Sequence, residues 1–385
     1  MDNAQIRVLH ITSGLGTGGA EAILRDLLES LGQFNVEQLV ISLGPVEEAQ
    51  VRLNYPLVKI HFFDLRRHPW RLVSVIAKIV FAMAKFRPDV VHTWMYHADL
   101  IGGILGKLKR LPVVWGIFSG NLEPEYYRPL TRLTIRMCGV LSRSIPAEVL
   151  SVSRKGRAVH ESIGYPSKKI RVVPIGFDTE QFSPNPVLRT RFRKTYGFEE
   201  DQSIIGMVAR FDRQKDFDTL FKAVSKACVS IPRLKIVLVG GYGITPENRL
   251  LTEKVERFGL GSLVHLLGFV ESIEEFYNGI DLLVLTSFGE GFPRVLGEAM
   301  ATGVPCVSTK VGDAEEIIGG IGHIVGVGDV VGLADAIESF FANSPEVLSH
   351  KKRESRRRVV EEYSLMKSNR LYAEAYRRLA VKKRH

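Results

Sequence analysis

Two glutamates, Glu290 and Glu298, lie eight positions apart where a predicted buried strand ends and a helix begins. The strand spans 281–286, and Pro293 suits the first helical position, because its fixed φ fits a helix and its missing N–H costs no hydrogen bond. The unpaired N–H groups of a helix N-terminus bind anions. Carboxylates cannot ligate an anion, so we expect these two to accept hydrogen bonds from hydroxyl groups around it. A phosphate surrounded by hydroxyl groups indicates a sugar nucleotide.

A simpler interpretation is that the two glutamates belong to the solvated face of an ordinary amphipathic helix. Glu290, however, precedes the helix in a Gly-Glu-Gly turn, where helix solubility does not require an acid. The turn favours a binding role.

Two cations follow the predicted strand 204–208. The guanidinium of Arg210 could bind a diphosphate through two parallel N–H groups, and the ammonium of Lys215 could add a compact positive charge. Asp216 and Asp218 match the acidic triplet of metal-dependent sugar transferases, but helix capping and the helix dipole explain both acids. We therefore predict no metal site.

A glycine-rich loop, Gly14 to Gly19, follows the first predicted strand and contains the G-x-G-x-x-G pattern. An NAD site would need an acid at the end of the second strand, where residues 42–44 read Ser-Leu-Gly. We therefore expect Gly16, Gly18 and Gly19 to let backbone N–H groups approach a phosphate or a sugar. A tight strand-to-helix turn without a ligand is the alternative.

Weaker signals surround these motifs. Gly241 lies in a second strand-to-glycine junction that could leave room for a nucleoside, and segment 267–270 could offer backbone groups to the base edge. A purely structural role is the alternative for both. His97 follows the strand ending near His92 and could act as an acid or base, or could simply be hydrogen-bonded.

Composition restricts the class of protein. The chain has 385 residues, a net charge of +10 and three cysteines, and it contains neither an 18-residue apolar run nor the order of a signal peptide. These features predict a cytoplasmic globular protein with reduced thiols. Arg128, Arg132 and Arg136 recur every four residues, and this basic stripe favours anionic lipid headgroups or a lipid-diphosphate acceptor over an ordinary solvated surface. Without a recognition motif, we predict no nucleic-acid partner.

Strand-like segments alternate with helical ones along the whole chain, which predicts parallel sheets covered by helices on both faces. The predicted strands are 6–11, 37–42, 90–92, 113–115 and 170–174, then 204–208, 235–239, 264–267, 282–285 and 306–308. A turn-rich linker at 174–186 separates the two series. We predict an α/β protein with two doubly wound domains: 1–178 for the acceptor, 179–362 for the donor, and a helix at 363–385 that crosses back to the first domain.

Together these motifs resemble the retaining nucleotide-sugar glycosyltransferases of family 4, also called group 1, which have the GT-B fold of two facing Rossmann-like domains. The resemblance is carried by the loop 16–21, the run 94–99, Arg210 with Lys215, the glycines of 240–243 and the block 290–298. It extends through 298–308 and Val311-Gly-Asp, so it covers nearly the whole chain.

The resemblance implies that Arg210 and Lys215 hold the donor diphosphate, that Glu298 accepts from the ribose hydroxyls, and that Glu290 contacts the sugar. Gly291 and Phe292 would donate backbone N–H groups, while the loop around Gly16 to Gly19 closes from the other domain. The catalytic set would be Glu290, Arg210 and Lys215, with no metal and no organic cofactor. The donor would be a UDP- or GDP-sugar.

Two positions depart from the family pattern. Ile175 stands where many relatives have an asparagine, and no histidine follows the strand near 113–118, where relatives often have one. Any acceptor-side role of that histidine would then be vacant or fall to His97, and Ser119 is a second acceptor-side candidate.

We predict a glycosyltransferase that moves a sugar to an acceptor, a lipid-linked saccharide in cell-surface polysaccharide synthesis, at the cytoplasmic membrane face. A nucleotide-sugar epimerase of the same fold and a non-catalytic sugar-nucleotide binding protein are the alternatives. The sequence does not specify the base, the sugar, the linkage or the oligomeric state.

Overall fold

The computed structural model describes residues 5–16, 19–45, 59–64, 69–241 and 243–384. The chain divides into two compact units. Unit 1 comprises Met1–Gly176 together with Leu365–His385, and unit 2 comprises Phe177–Ser364.

Unit 1 is built on a parallel sheet, which has seven strands within the described residues. The strands are β1 (Ile6–Thr12), β2 (Val36–Ser42), β3 (Lys59–Phe62), β4 (Val90–Trp94), β5 (Val113–Ile117), β6 (Glu148–Ser151) and β7 (Ile170–Val172). Their spatial order is β3-β2-β1-β4-β5-β6-β7. The connecting helices are α1 (Gly19–Ser30), α2 (Leu72–Phe86), α3 (Tyr96–Leu108), α4 (Pro129–Leu141) and α5 (Arg154–Ser162).

Unit 2 repeats this plan, with six parallel strands in its described part: β8 (Ser203–Val208), β9 (Leu234–Val239), β10 (Val264–Gly268), β11 (Leu282–Leu285), β12 (Cys306–Thr309) and β13 (His323–Val325). The spatial order is β10-β9-β8-β11-β12-β13. Its helices are α6 (Pro186–Thr195), α7 (Phe217–Ala227), α8 (Arg249–Arg257), α9 (Ile273–Gly279), α10 (Arg294–Ala301), α11 (Ala314–Ile318), α12 (Val330–Phe341) and α13 (Pro345–Tyr363).

The central strands are buried along nearly their whole length because helices cover both faces of each sheet. In each unit the order of strands reverses at one place, between β1 and β4 in unit 1 and between β8 and β11 in unit 2. Open α/β sheets bind ligands at the carboxyl ends of the strands beside such a reversal. This topology places the loops after β1, β4, β8 and β11 at the two candidate sites.

The last helix, α14 (Leu365–Arg384), returns to unit 1, as the sequence predicted. Ser368 Oγ donates to the carbonyl of Pro174 at 2.8 Å, and the amide of Asn369 donates to Ser30 Oγ at 2.6 Å. The hydroxyl of Tyr376 hydrogen-bonds His92 Nδ1 at 2.7 Å. The C-terminal helix therefore completes the core of the first sheet.

The sequence prediction missed three strands, β3, β6 and β13. Each has only three or four residues, and β3 and β13 are edge strands that pair on one side. Short edge strands need no long apolar run, so their sequences carry little periodic signal. The two alternating series are confirmed.

Two buried histidines lie opposite each other on β1 and β4, His10 beside His92. His10 hydrogen-bonds Gln38 Oε1 at 3.2 Å through Nε2, and its Nδ1 accepts from the indole N–H of Trp94 at 3.2 Å. Burial lowers the pKa of His10 to about 3, and burial, with a smaller effect of His10, lowers the pKa of His92 well below 6.5. Both imidazoles therefore remain neutral in the folded chain at pH 5.

Acid should weaken unit 1 through these histidines. An unfolded chain protonates both below about pH 6.5, so the folded state keeps its full stability above that pH and loses it as the pH falls. The expected loss is about 2 kcal/mol per histidine at pH 5. The pH dependence of the unfolding free energy reports the number of protons that the chain takes up on unfolding. In urea unfolding between pH 7 and 5, His10→Gln should lower that number by about one. A slope equal to that of the parent chain would contradict this prediction.

Candidate active site

The two loops at the strand reversal of unit 2 bring Lys215 and Glu290 together. The Lys215 ammonium lies 2.6 Å from Glu290 Oε1, and both side chains are less than one-fifth exposed. Ser287 Oγ donates to the same carboxylate oxygen at 2.7 Å, and Thr286 Oγ1 donates to the carbonyl of Lys215 at 2.8 Å. The predicted cation and acid therefore share one position at the carboxyl ends of β8 and β11.

Arg210 lies on the same loop as Lys215 but is more exposed. Its guanidinium pairs with Asp212 at 3.3 Å, and 63% of its side chain is accessible. The structure thus places Arg210 at the same sheet edge without joining it to the Lys215–Glu290 pair. Its role on a diphosphate remains a prediction.

The acids next to Lys215 are structural. Asp216 adopts a left-handed conformation at φ 46° and caps α7 by accepting from the backbone N–H of Thr219. Asp218 pairs with Lys254 at 2.7 Å. Within the described ranges, no group of three or more His, Cys, Asp or Glu side chains could hold a metal ion.

The turn between Glu290 and α10 offers backbone N–H groups to a ligand. Helix α10 begins at Arg294, so Pro293 is the N-cap in extended conformation, and its prediction as the first helical residue was wrong by one position. In the described part of the chain, the backbone N–H groups of Gly291 and Phe292 donate to no protein acceptor. These N–H groups and the positive end of α10 can accept an anion.

The loop after β12 contacts this turn. Gly312 has φ 52°, and a Cβ built on it would lie 2.4 Å from the carbonyl oxygen of Gly291. The backbone N–H of Asp313 donates to the same carbonyl at 3.3 Å, and Thr309 Oγ1 donates to the carbonyl of Ser287 at 2.8 Å. Only glycine fits at position 312 without moving the turn that carries Glu290.

Glu298 lies on α10 and is held at both oxygens. The hydroxyl of Tyr277 donates to Oε2 at 2.8 Å, and Arg294 Nε lies 3.3 Å from Oε1. A carboxylate has about four acceptor positions, so positions remain for a ligand. Sequence reasoning missed Tyr277 and Arg294, although the spacing of Arg294 and Glu298 by four residues on one helix is a usable signal.

The glycines after β9 have different functions. Gly240 has φ 144°, and a Cβ there would lie 1.9 Å from the carbonyl oxygen of Ala209, so this glycine lets the Arg210 loop pack against β9. A Cβ on Gly241 would meet no atom within 4 Å, so space lies beside it. Close packing requires Gly240, whereas Gly241 is the position open to a ligand.

In unit 1, the loop after β1 is described up to Gly16, whose carbonyl accepts from Arg25 at 2.8 Å. Gly18 lies outside the described residues. Gly19 begins α1, and a Cβ on it would meet nothing within 4 Å. Gly16 thus ends the described part of the loop, and Gly19 begins a helix beside the strand reversal.

The turn between β4 and α3 is strained at Met95. Its φ of 74° and ψ of 152° fall in a region that is almost restricted to glycine. Backbone strain of this kind is concentrated at functional sites. His97 lies two residues further on, half-buried in the first turn of α3.

Ser119 follows β5 and is engaged by its neighbours. Its hydroxyl donates to the carbonyl of Asn121 at 2.6 Å and hydrogen-bonds the hydroxyl of Tyr127 at 2.8 Å. Nearby, Tyr96 OH hydrogen-bonds His160 Nε2 at 2.9 Å, and burial lowers the pKa of His160 to about 4. These contacts place hydroxyl groups and a neutral imidazole after β4 and β5 in unit 1.

Two units of this architecture, each built on a parallel sheet, define the GT-B class. A crystal structure of Anabaena Alr3699/HepE in complex with UDP matches with a TM-score of 0.83 at 22% identity, covering 96% of this chain and 99% of that one. Another, in complex with UDP-glucose, matches with a TM-score of 0.81. At these identities, the comparison shows the fold alone.

Sequence comparisons show the family. The model described as "Glycosyltransferase Family 4" matches residues 17–181, and the model described as "Glycosyl transferases group 1" matches residues 189–362. The chain belongs to glycosyltransferase family 4 and is a retaining, hexose-transferring enzyme of the GT-B fold.

Two curated relatives are similar to the chain over most of its length. EpsF of Bacillus subtilis (strain 168), whose name assigns it provisionally to the glycosyltransferases, is 26% identical over 80% of each chain. An Escherichia coli protein named UDP-Gal:alpha-D-GlcNAc-diphosphoundecaprenol alpha-1,3-galactosyltransferase is 24% identical over 60% of this chain and 59% of its own.

Proposed function

We propose that this enzyme transfers a hexose from a UDP-sugar to a lipid-linked saccharide during synthesis of a cell-surface polysaccharide. The observation that carries the proposal is the joint position of Lys215 and Glu290 beside the N-terminus of α10. That arrangement offers a cation and backbone N–H groups to a diphosphate, and a carboxylate to the hydroxyl groups of the attached sugar. The names of the relatives support the UDP donor and the lipid-linked acceptor.

In the proposed reaction, the bond between the anomeric carbon and the diphosphate breaks while Lys215 and the α10 N-terminus stabilise the negative charge on the departing UDP. Arg210 joins them from the β8 loop. The acceptor hydroxyl attacks from the side that the diphosphate leaves, and its proton passes to a diphosphate oxygen. The new bond therefore keeps the anomeric configuration of the donor.

The remaining positions follow from this arrangement. Glu298 accepts from the ribose, and the space beside Gly241 receives the nucleoside. We assign His97 and Ser119 to the acceptor side, where the strained Met95 turn fixes the start of α3. We assign Gly16 and Gly19, together with Gly18 between them in the sequence, to donor binding.

Turnover tests this proposal. We expect UDP release from one member of a UDP- and GDP-sugar panel only when a lipid-linked saccharide is present, with the anomeric configuration retained in the product. Donor binding without turnover on any acceptor, or an epimerised free sugar nucleotide, would overturn it. Thermal stabilisation identifies the donor first, because a ligand at about 100 times its dissociation constant adds about 2.7 kcal/mol.

We further propose that the enzyme binds the cytoplasmic membrane surface peripherally through α4 of unit 1. Arg132 and Arg136 are exposed on this helix, and Arg128 is its N-cap, so the basic stripe begins one residue outside the helix. Beside the arginines, α4 exposes an apolar stripe at helical spacing: Leu130, Leu133, Met137 and Val140. A basic face next to exposed apolar side chains is typical of helices that lie on anionic membranes. None of the helices in the described ranges is long and apolar enough to cross a bilayer.

Replacing the three arginines should weaken membrane binding selectively. Each cation near an anionic bilayer contributes about 1 kcal/mol, so R128Q/R132Q/R136Q should bind phosphatidylglycerol vesicles roughly a hundredfold more weakly. Donor affinity should not change. A triple glutamine variant at three exposed arginines of unit 2, Arg191, Arg233 and Arg357, removes the same charge and serves as the control. Equal vesicle binding by the two variants would show that α4 has no special role.

A further inference from the structure

Tyr277 contacts the carboxylate of Glu298 from the interior of unit 2. Its side chain is fully buried on α9, and its ring packs edge-on against Phe182 with centroids 6.0 Å apart. The hydroxyl donates to Glu298 Oε2 at 2.8 Å, while Arg294 approaches the other oxygen. The phenol cannot turn to water, so its O–H bond points at Glu298 in a fixed direction.

A carboxylate held in this way has a defined plane. Each oxygen uses one of its two acceptor positions on a protein donor, and the remaining positions project from the same plane. Glu298 keeps 15% of its side chain exposed, so it is accessible to a ligand at the sheet edge. Two neighbouring ribose hydroxyls need such an oriented pair of acceptors, because a freely rotating carboxylate would lose entropy on binding them.

We propose that Tyr277 is a positioning residue that orients Glu298 to accept hydrogen bonds from the ribose hydroxyls of the donor nucleotide. This inference rests on the proposed function. It assigns recognition of the ribose to a unit of three side chains, Tyr277, Arg294 and Glu298, rather than to the glutamate alone. Burial raises the pKa of Tyr277 well above 10, so its hydroxyl remains a donor across the working range of pH.

Tyr277→Phe removes the donor and keeps the ring, so it tests orientation without emptying the core. The ligands are UDP and its 2′-deoxy and 3′-deoxy forms, with dissociation constants measured by calorimetry. We expect the parent enzyme to lose at least about tenfold in affinity when a ribose hydroxyl is removed, because a hydrogen bond to a charged group is broken. Tyr277→Phe should bind UDP about three- to tenfold more weakly and lose no more than about threefold on removal of the hydroxyl.

Glu298→Ala and the double variant separate orientation from general damage. Glu298→Ala should no longer discriminate between UDP and its deoxy forms, and adding Tyr277→Phe to it should weaken UDP binding by less than about twofold, because the tyrosine acts through the glutamate. In turnover, Tyr277→Phe should raise the donor KM and leave kcat within about twofold. Tyr196→Phe, at a partly exposed position of unit 2, is the matched control and should behave as the parent.

The outcomes distinguish this inference from the proposed function. If Tyr277→Phe keeps the full hydroxyl discrimination of the parent, or adds its entire loss to that of Glu298→Ala, the positioning role is wrong. If the parent binds no UDP, or Glu298→Ala retains the discrimination, the assignment of the donor site fails first. A folded Tyr277→Phe protein, checked by its melting temperature, is required for either conclusion.

Discussion

Lys215→Ala should weaken UDP binding and reduce kcat/KM by roughly ten- to a hundredfold or more, while the protein remains folded. The ammonium lies 2.6 Å from Glu290 at the carboxyl ends of β8 and β11. A diphosphate bound there would form a second ion pair with it. The substitution removes the point charge, and the departing diphosphate then develops its charge with less compensation. Calorimetry with UDP and steady-state kinetics measure the two effects.

Lys254→Ala provides the matched control for this experiment. It breaks a lysine–carboxylate pair of nearly the same length, 2.7 Å to Asp218, in the same unit. The side chains of Lys254 and Asp218 are 24% and 47% exposed, and pairs of this kind contribute only about 0–1 kcal/mol to stability, so the control should stay folded. Equal activity losses in the two variants would show that Lys215 acts through stability rather than through the donor.

Glu290→Ala should reduce transfer by a similar factor, and its effect should not add to that of Lys215→Ala. The two side chains are in direct contact, and residues in contact couple by about 0.5–3 kcal/mol. A double variant much closer to the single variants than to their sum is therefore expected. Full additivity in kcat/KM would mean that the pair does not act as one unit.

Gly312→Ala should destabilise unit 2 and remove most activity. Alanine would adopt a strained φ of 52° and place its Cβ 2.4 Å from the carbonyl oxygen of Gly291. A left-handed non-glycine residue costs about 1–3 kcal/mol, and overpacking adds about 1–3 kcal/mol. We therefore expect a loss of roughly 2–6 kcal/mol, measured by urea unfolding, together with displacement of the turn that carries Glu290.

Gly328→Ala isolates the backbone part of this cost. Gly328 has φ 73°, but a Cβ on it would meet no atom within 4 Å. The control should lose only the conformational contribution and should keep donor binding. If Gly312→Ala behaved like Gly328→Ala in both stability and UDP affinity, the loop after β12 would not support the donor site.

Much of the architecture could be predicted because its signals are local. Apolar strands that alternate with helices imply parallel sheets, and such sheets imply loops at their carboxyl ends. The sequence put Lys215 after one predicted strand and Glu290 after another, and the structure joins the two side chains although 75 positions separate them. The capping role of Asp216 is likewise visible in the sequence and is confirmed.

The remaining features depend on contacts that no local pattern encodes. Tyr277 lies on an ordinary short helix, and its hydrogen bond to Glu298 joins residues on two different helices, 21 positions apart. The bond between His92 and Tyr376 joins residues 284 positions apart. The strain at Met95 belongs to backbone geometry, and the residue type would predict the opposite, because methionine does not favour positive φ.

The return of α14 to unit 1 also affects how the protein is made. The ribosome synthesises unit 2 before it reaches residue 365, so nascent unit 1 lacks the helix that covers His92 until the last residues of the chain have been made. Throughout that interval, nascent unit 1 exposes apolar surface that chaperones recognise. A premature stop near residue 364 would therefore yield a complete unit 2 attached to an aggregation-prone unit 1.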